Sequence, residues 1–175
     1  MRVRNPFKRS VPVPAEVTAA AGLRPGERVL AGTETADGTW LVGTHEALHV
    51  VVGAGSSRIP WERIERADWD GDEERFVVSE VGEYGHTRPR YAFPVSEPGL
   101  LLQLVRERVT ASVILQRRVP VEGRLGLVVV ARRAPAGTGE IAWAYEFDAG
   151  VDPEDPAVMA VAEAALRAAQ SEVGR

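Results

Sequence analysis

The chain has 175 residues, 45% hydrophobic and 26% charged, with a formal net charge of −4 at pH 7 and no cysteine. This composition supports a packed core in one domain or two small ones, and it excludes disulfides, thiolate metal sites and cysteine nucleophiles. No apolar run reaches the roughly 18 to 20 residues a membrane-spanning helix needs, and residues 1–9 lead into no signal-type apolar stretch, so a cytoplasmic location is expected.

Residues 1–26 read as a basic flexible tail and linker. Arg2, Arg4, Lys8 and Arg9 carry no balancing acid among the first ten residues, and Pro12, Pro14 and Pro25 leave room for only one short helical turn between Glu16 and Ala21. With Phe7, these cations could touch an anionic membrane, but four charges without an acyl chain hold a protein there weakly. Folding begins near Glu27, and from there turn signals recur every eight to twelve residues, as in an antiparallel sheet or barrel. Strands are predicted over 28–35, 39–44 and 47–52, with Asp37-Gly38 as a hairpin turn and Gly53-Ala54-Gly55-Ser56 reversing the chain. Residues 59–61 and 64–69 form one bent fourth strand kinked at Pro60, and strands over 75–81 and 88–95 follow. Asp68, Asp70 and Asp72 alternate as in a calcium loop but lack its downstream spacing, and they read as a polar turn. Ser96 offers an N-cap for a helix over 97–110, with Leu101, Leu104, Val105 and Val109 on one face. A three-stranded meander over 113–121, 125–133 and 140–147 comes next, and Asp155 caps a last helix whose first residue is Pro156.

His45-Glu46-Ala47-Leu48-His49 spells the H-E-x-x-H signature of zinc peptidases, which requires a helix to aim both imidazoles at one ion. The flanks have strand period instead: Trp40, Val42 and Thr44 alternate with Leu41, Gly43 and His45, and Val50-Val51-Val52 is a β-branched run. On an extended backbone the two imidazoles lie roughly 13 Å apart, too far to share an ion. His86 would complete a ligand set only from a loop folded over the motif. No catalytic residue, metal or cofactor is assigned, and the phosphate-loop, nucleophile-elbow and dinucleotide motifs are missing.

The run Gly43-Thr44-His45-Glu46-Ala47-Leu48, then Ile59-Pro60-Trp61-Glu62-Arg63-Ile64 and Ala67-Asp68-Trp69-Asp70, resembles the bacterial pleckstrin-homology-like and GRAM-like domains. With Val105-Arg106-Glu107-Arg108-Val109-Thr110-Ala111-Ser112 and Gly150-Val151-Asp152-Pro153, the chain is similar to an uncharacterised actinobacterial protein family. The resemblance implies an α+β fold, a pleckstrin-homology-like partly open antiparallel barrel over 27–110 capped by a helix. A three-stranded antiparallel sheet with a C-terminal helix follows over 111–175, either separate or packed on the first domain. Eukaryotic relatives bind phosphoinositides through bases in the first hairpin loop. Here Thr33-Glu34-Thr35-Ala36-Asp37-Gly38 carries two acids and no base, which disfavours that route.

Charge is segregated along the chain. Residues 62–83 hold nine acids against three arginines, whereas 103–135 hold seven arginines against Glu107 and Glu122. Within the basic stretch, Arg117, Arg118, Arg132 and Arg133 flank the predicted hairpin turn and form the candidate binding patch. Trp40, Trp61, Trp69 and Trp143 read as core rings, with a ligand groove as the alternative. The expected role is non-enzymatic binding or scaffolding with a protein partner, by strand addition at an open edge or in a groove beside the 97–110 helix, and self-association is its nearest variant. The alternatives are a zinc hydrolase on His45, Glu46 and His49, and a peripheral binder of anionic membrane or nucleic acid through the four arginines.

Overall fold

The computed structural model describes residues 11–82 and 89–173, so the basic tail at 1–10 and His86 lie outside the described residues. The chain divides into two compact α+β units. The first comprises residues up to Ser112 with Ala134–Thr138, and the second Val113–Arg133 with Gly139–Arg175.

The first unit contains α1 (Ala15–Ala20), β1 (Val29–Glu34), β2 (Trp40–Thr44), β3 (Ala47–Val52), β4 (Gly55–Pro60), a 3-10 turn (Trp61–Arg63), β5 (Ile64–Asp70), β6 (Arg75–Glu80), β7 (Arg90–Pro94) and α2 (Gly99–Ser112). Strands β1 to β4 form one antiparallel sheet in sequence order, and β5 to β7 form a second. The two ladders are separate rather than closed into a barrel. Their facing sides share one core with α2, built on Leu41, Leu48, Ile59, Trp61, Ile64, Phe76, Val78, Leu101 and Val105. Trp61 fills its centre without solvent contact, and its Nε1–H donates to the Thr44 carbonyl at 3.1 Å, satisfying the one polar atom of the ring.

Three boundaries differ from the sequence reading. The expected bent fourth strand is two strands: β4 begins at Gly55, inside the expected turn, and the 3-10 turn separates it from β5. Pro60 caps that turn in an extended conformation, φ −59 and ψ 146, and Trp61 N–H turns to the Glu46 carbonyl. Helix α2 begins at Gly99 rather than near 97 and runs to Ser112; Gly99 sits at φ 54, a left-handed conformation that stops the helix from extending back through Pro98. Residues 11–26, read as linker with one short helical turn, carry that turn as α1 and also form a packed layer. Val13, Val17, Ala20 and Leu23 lie against Ala21, Trp40, Val42 and Val51 on the outer face of the first sheet.

Strand β2 is therefore buried along its whole length, with a cover on each face. Two glycines let those covers come close. A Cβ on Gly32 would lie 2.4 Å from the Val13 side chain on one face, and a Cβ on Gly43 would lie 2.6 Å from Leu104 on the other.

The second unit contains β8 (Val113–Glu122), β9 (Leu125–Arg132), β10 (Ala142–Phe147) and α3 (Pro156–Val173), with β9 central in an antiparallel sheet. Asp155 Oδ1 accepts the Ala157 amide at 2.8 Å and starts α3. Small residues Ala162, Ala165 and Ala169 bring the helix down onto Leu127 and Val129, rimmed by Leu115, Val119, Trp143, Tyr145 and Phe147.

Truncating the fully buried ring at the centre of the first core, Trp61→Ala, is expected to cost about 3–5 kcal/mol of stability through cavity formation and the orphaned Thr44 carbonyl. Denaturant unfolding of the two proteins measures it, and a loss under 1 kcal/mol would contradict this packing.

Candidate functional site

The zinc-like motif lies across a hairpin rather than along a helix. Strand β2 ends at Thr44, His45 and Glu46 form the bend, and β3 resumes at Ala47. Thr44 shapes the bend, because its hydroxyl oxygen accepts the amides of Glu46 and Ala47, both at 3.1 Å. His45 is left partly exposed, with Nε2 3.5 Å from Glu46 Oε1, while Glu46 Oε2 accepts from the Arg58 guanidinium at 3.1 Å. His49 is in the interior and faces the other way, toward the N-terminal layer.

There His49 joins a buried polar cluster. Its Nδ1 lies 3.1 Å from the Ala21 carbonyl and its Nε2 3.0 Å from Glu27 Oε1. Both partners are acceptors, so the ring satisfies both only with a proton on each nitrogen. Glu27 Oε1 also accepts the Thr44 hydroxyl at 2.6 Å, and Oε2 accepts the Arg24 amide at 3.0 Å. Neither side chain has appreciable solvent contact. Burial raises the Glu27 pKa, but the hydrogen bonds from Thr44, His49 and Arg24 together with the imidazolium charge outweigh it, lowering the value from 4.5 to about 2. Ser56 adds a second donor to the Ala21 carbonyl at 3.0 Å. What the arrangement offers is a buried carboxylate–imidazole pair in which both ring nitrogens already have partners. Among the described residues, no group of three or more His, Cys, Asp or Glu side chains is placed to hold a metal ion.

The four arginines do not form one patch. Arg117 lies opposite Val129 and Arg118 opposite Val128, whereas Arg132 lies opposite Val113 at the far end of the ladder. Three residues, roughly 10 Å, separate the two pairs along the strands. Arg117 and Arg118 are neighbours in β8 and point to opposite faces. Arg117 pairs with Glu172 of α3, and Arg118 binds Asp148 through both carboxylate oxygens while donating to the Arg124 carbonyl. The Arg118 guanidinium and the Gly126 amide hold the Asp148 carboxyl below its usual pKa range. Arg132 is buried, and Arg133 has its Nε inside, without a hydrogen-bond partner.

Of the tryptophans, Trp40 and Trp61 are core rings, and Trp69 donates from Nε1 to the Val95 carbonyl at 2.9 Å. The residue the sequence reading missed is Glu27, placed at the edge of the linker. Its signal is an acid just before an apolar strand start, which periodicity alone does not separate from a surface charge. The chain matches no protein-family model, no curated protein and no solved structure.

Because the folded Glu27 value lies below the ordinary one, its contribution is complete above pH 4.5 and disappears as the pH falls toward 2; the difference corresponds to about 3 kcal/mol. Glu27→Gln is expected to lower stability at neutral pH and to flatten the pH dependence across that window, read by denaturant unfolding at several pH values. Equal slopes in the two proteins would remove the carboxylate from this role. Calorimetric titration with Zn2+ at pH 7 is expected to show no stoichiometric uptake, and a one-to-one isotherm abolished by His45→Ala would restore the metal reading.

Proposed function

We propose that this is a non-enzymatic binding protein of the cytoplasm whose partner is another protein, engaged in extended form along the β5 edge beside α2. The observation that carries the reading is that among the described residues β5 has a ladder partner, β6, on one side alone, while α2 packs against β5 and the 3-10 turn before it. An edge of this kind presents backbone N–H and C=O groups to an incoming strand, and the neighbouring helix adds side chains that read its sequence. Antiparallel strands followed by a packed helix are also what the pleckstrin-like resemblance implies, and this order supports placing the unit in that group.

The competing readings have less to draw on. A hydrolase would need His49 free to bind metal, and its two nitrogens serve Ala21 and Glu27. An anionic surface would need the four arginines together, and two of them are tied to Asp148 and Glu172. Among the described residues no helix is long and apolar enough to cross a membrane. Pairing of two copies along the same edge is the homo-oligomeric form of the proposal.

The test is a pull-down from native cells followed by amide exchange on the captured complex. Exchange is expected to slow over residues 65–70 and along α2, with light scattering separating a partner from a second copy. Protection confined to other strands, or no change on β5, would overturn the edge assignment.

A further inference from the structure

The face of the second sheet turned away from the core carries an open depression of about 380 Å3. Strand alternation builds it: Phe76 and Val78 point into the core, so Arg75, Val77 and Ser79 of β6 point out. Register then sets three rows across the sheet. Arg66, Ser79 and Arg90 align in the first, Asp68, Val77 and Ala92 in the second, and Asp70, Arg75 and Pro94 in the third. Glu73, in the β5–β6 turn, adds an acid beside the third row. Asp70 is held there because its Oδ1 accepts the amides of Asp72 and Glu73 at 2.9 and 3.1 Å.

The depression is neutral in total and dipolar along its length. At one end two arginines, Arg66 and Arg90, outweigh Asp68, which is paired with Arg66. At the other, Asp70 and Glu73 outweigh Arg75. The low floor between them is Val77, with the Ser79 hydroxyl at the cationic end. A purely anionic ligand would meet Asp68, Asp70 and Glu73, and a purely cationic one would meet three arginines. A ligand with an anionic and a cationic end, separated by a short neutral body, suits both ends at once. Four residues separate Arg66 from Asp70 along β5, roughly 13 Å between Cα atoms. An extended tripeptide spans about 10 Å, and the side chains at each end close the remaining distance.

We propose that the outer face of β5, β6 and β7 binds a short zwitterionic peptide, its carboxylate on Arg66, Ser79 and Arg90 and its ammonium on Asp70 and Glu73. The Arg90 guanidinium, the Ser79 hydroxyl and the terminal nitrogens of Arg66, whose Nε is paired with Asp68, supply donors for a carboxylate, and two carboxylates supply acceptors for an ammonium. Residues 66, 68 and 70 alternate with 65, 67 and 69 at strand period, so one polar face of β5 is visible in the sequence. Its alignment with Ser79 and Arg90 depends on a bulge between Ile64 and Arg66. The site is on the sheet face and stands independently of the β5 edge reading.

The experiment titrates trialanine, acetyl-trialanine and trialanine amide into the full chain and follows the amides of Val77, Ser79 and Ala92 by nitrogen-15 NMR. Trialanine is expected to give saturable shifts, and each blocked peptide to bind at least about tenfold more weakly, the loss of one charge-assisted contact. Arg90→Gln is expected to make binding indifferent to C-terminal amidation, and Glu73→Gln to make it indifferent to acetylation; both residues are exposed, so both variants keep the core intact. No saturable shift with trialanine overturns the site. Acetyl-trialanine binding as tightly as trialanine overturns the zwitterionic assignment, and so does a response that neither variant changes.

Discussion

The pairing of Glu27 with His49 inside the first unit fixes how the N-terminal layer meets the first sheet. Apolar contact from Val13, Val17 and Leu23 supplies burial, but burial is non-directional and would tolerate sliding. The polar groups do not tolerate it. Ala21 offers its carbonyl to His49 and Ser56, Arg24 offers its amide to Glu27, and Thr44 of β2 closes the carboxylate from the far side. A displacement of one residue would strand several buried donors and acceptors together, each at a cost of about 1–3 kcal/mol. Buried ion pairs often add little net stability over an apolar replacement. Here the pair sets position and makes stability depend on pH, and the apolar layer supplies the burial.

That layer is needed because β2 has no face for solvent. Leu41 belongs to the core shared with the second sheet and α2, while Trp40 and Val42 belong to the outer one. With residues 11–26 removed, Trp40 and Val42 of β2 and Val51 of β3 would meet water. The cover therefore belongs to the folded unit, and the glycines at 32 and 43 are where each cover reaches the sheet. The letters of the zinc motif fall out of this arrangement. His45 and Glu46 make a bend that Thr44 organises, and His49 is directed to the buried carboxylate by the strand period that denies it to a metal.

Most elements were legible because their signals are local: Asp37-Gly38 turns β1 into β2, Asp155 and Pro156 open α3, and β5 and β6 alternate cleanly. What was not legible depends on pairing. Strand β4 begins Gly55-Ser56-Ser57-Arg58, which has no apolar residue and reads as a loop; the ladder with β3 makes it a strand. The layer at 11–26 was hidden by its prolines, although the unbroken apolar run Trp40-Leu41-Val42 is the pattern of a strand buried on both faces and calls for a second cover. The placing of the four arginines is likewise a matter of register. With Glu122 opposite Leu125, Arg117 meets Val129, and no hairpin with that turn sets it against Arg132.

The same dependence on pairing explains why total charge says little about this molecule. A value of −4 describes the chain as mildly acidic, yet the three-stranded face of the first unit carries as many arginines as acids within one depression, sorted by row. Sequence places Arg66 and Arg90 twenty-four positions apart with acids between them. Two antiparallel connections bring them to either side of Ser79, and a bulge in β5 sets the row in which they meet. Field direction over a sheet is thus a property of register, since moving β5 by one residue would turn Arg66, Asp68 and Asp70 into the core and bring Ala67 and Trp69 to the surface. The core forbids that slip, because Phe76 and Val78 need Trp69 and Ala67 beside them. Packing on one face of the sheet thereby fixes the order of charges on the other.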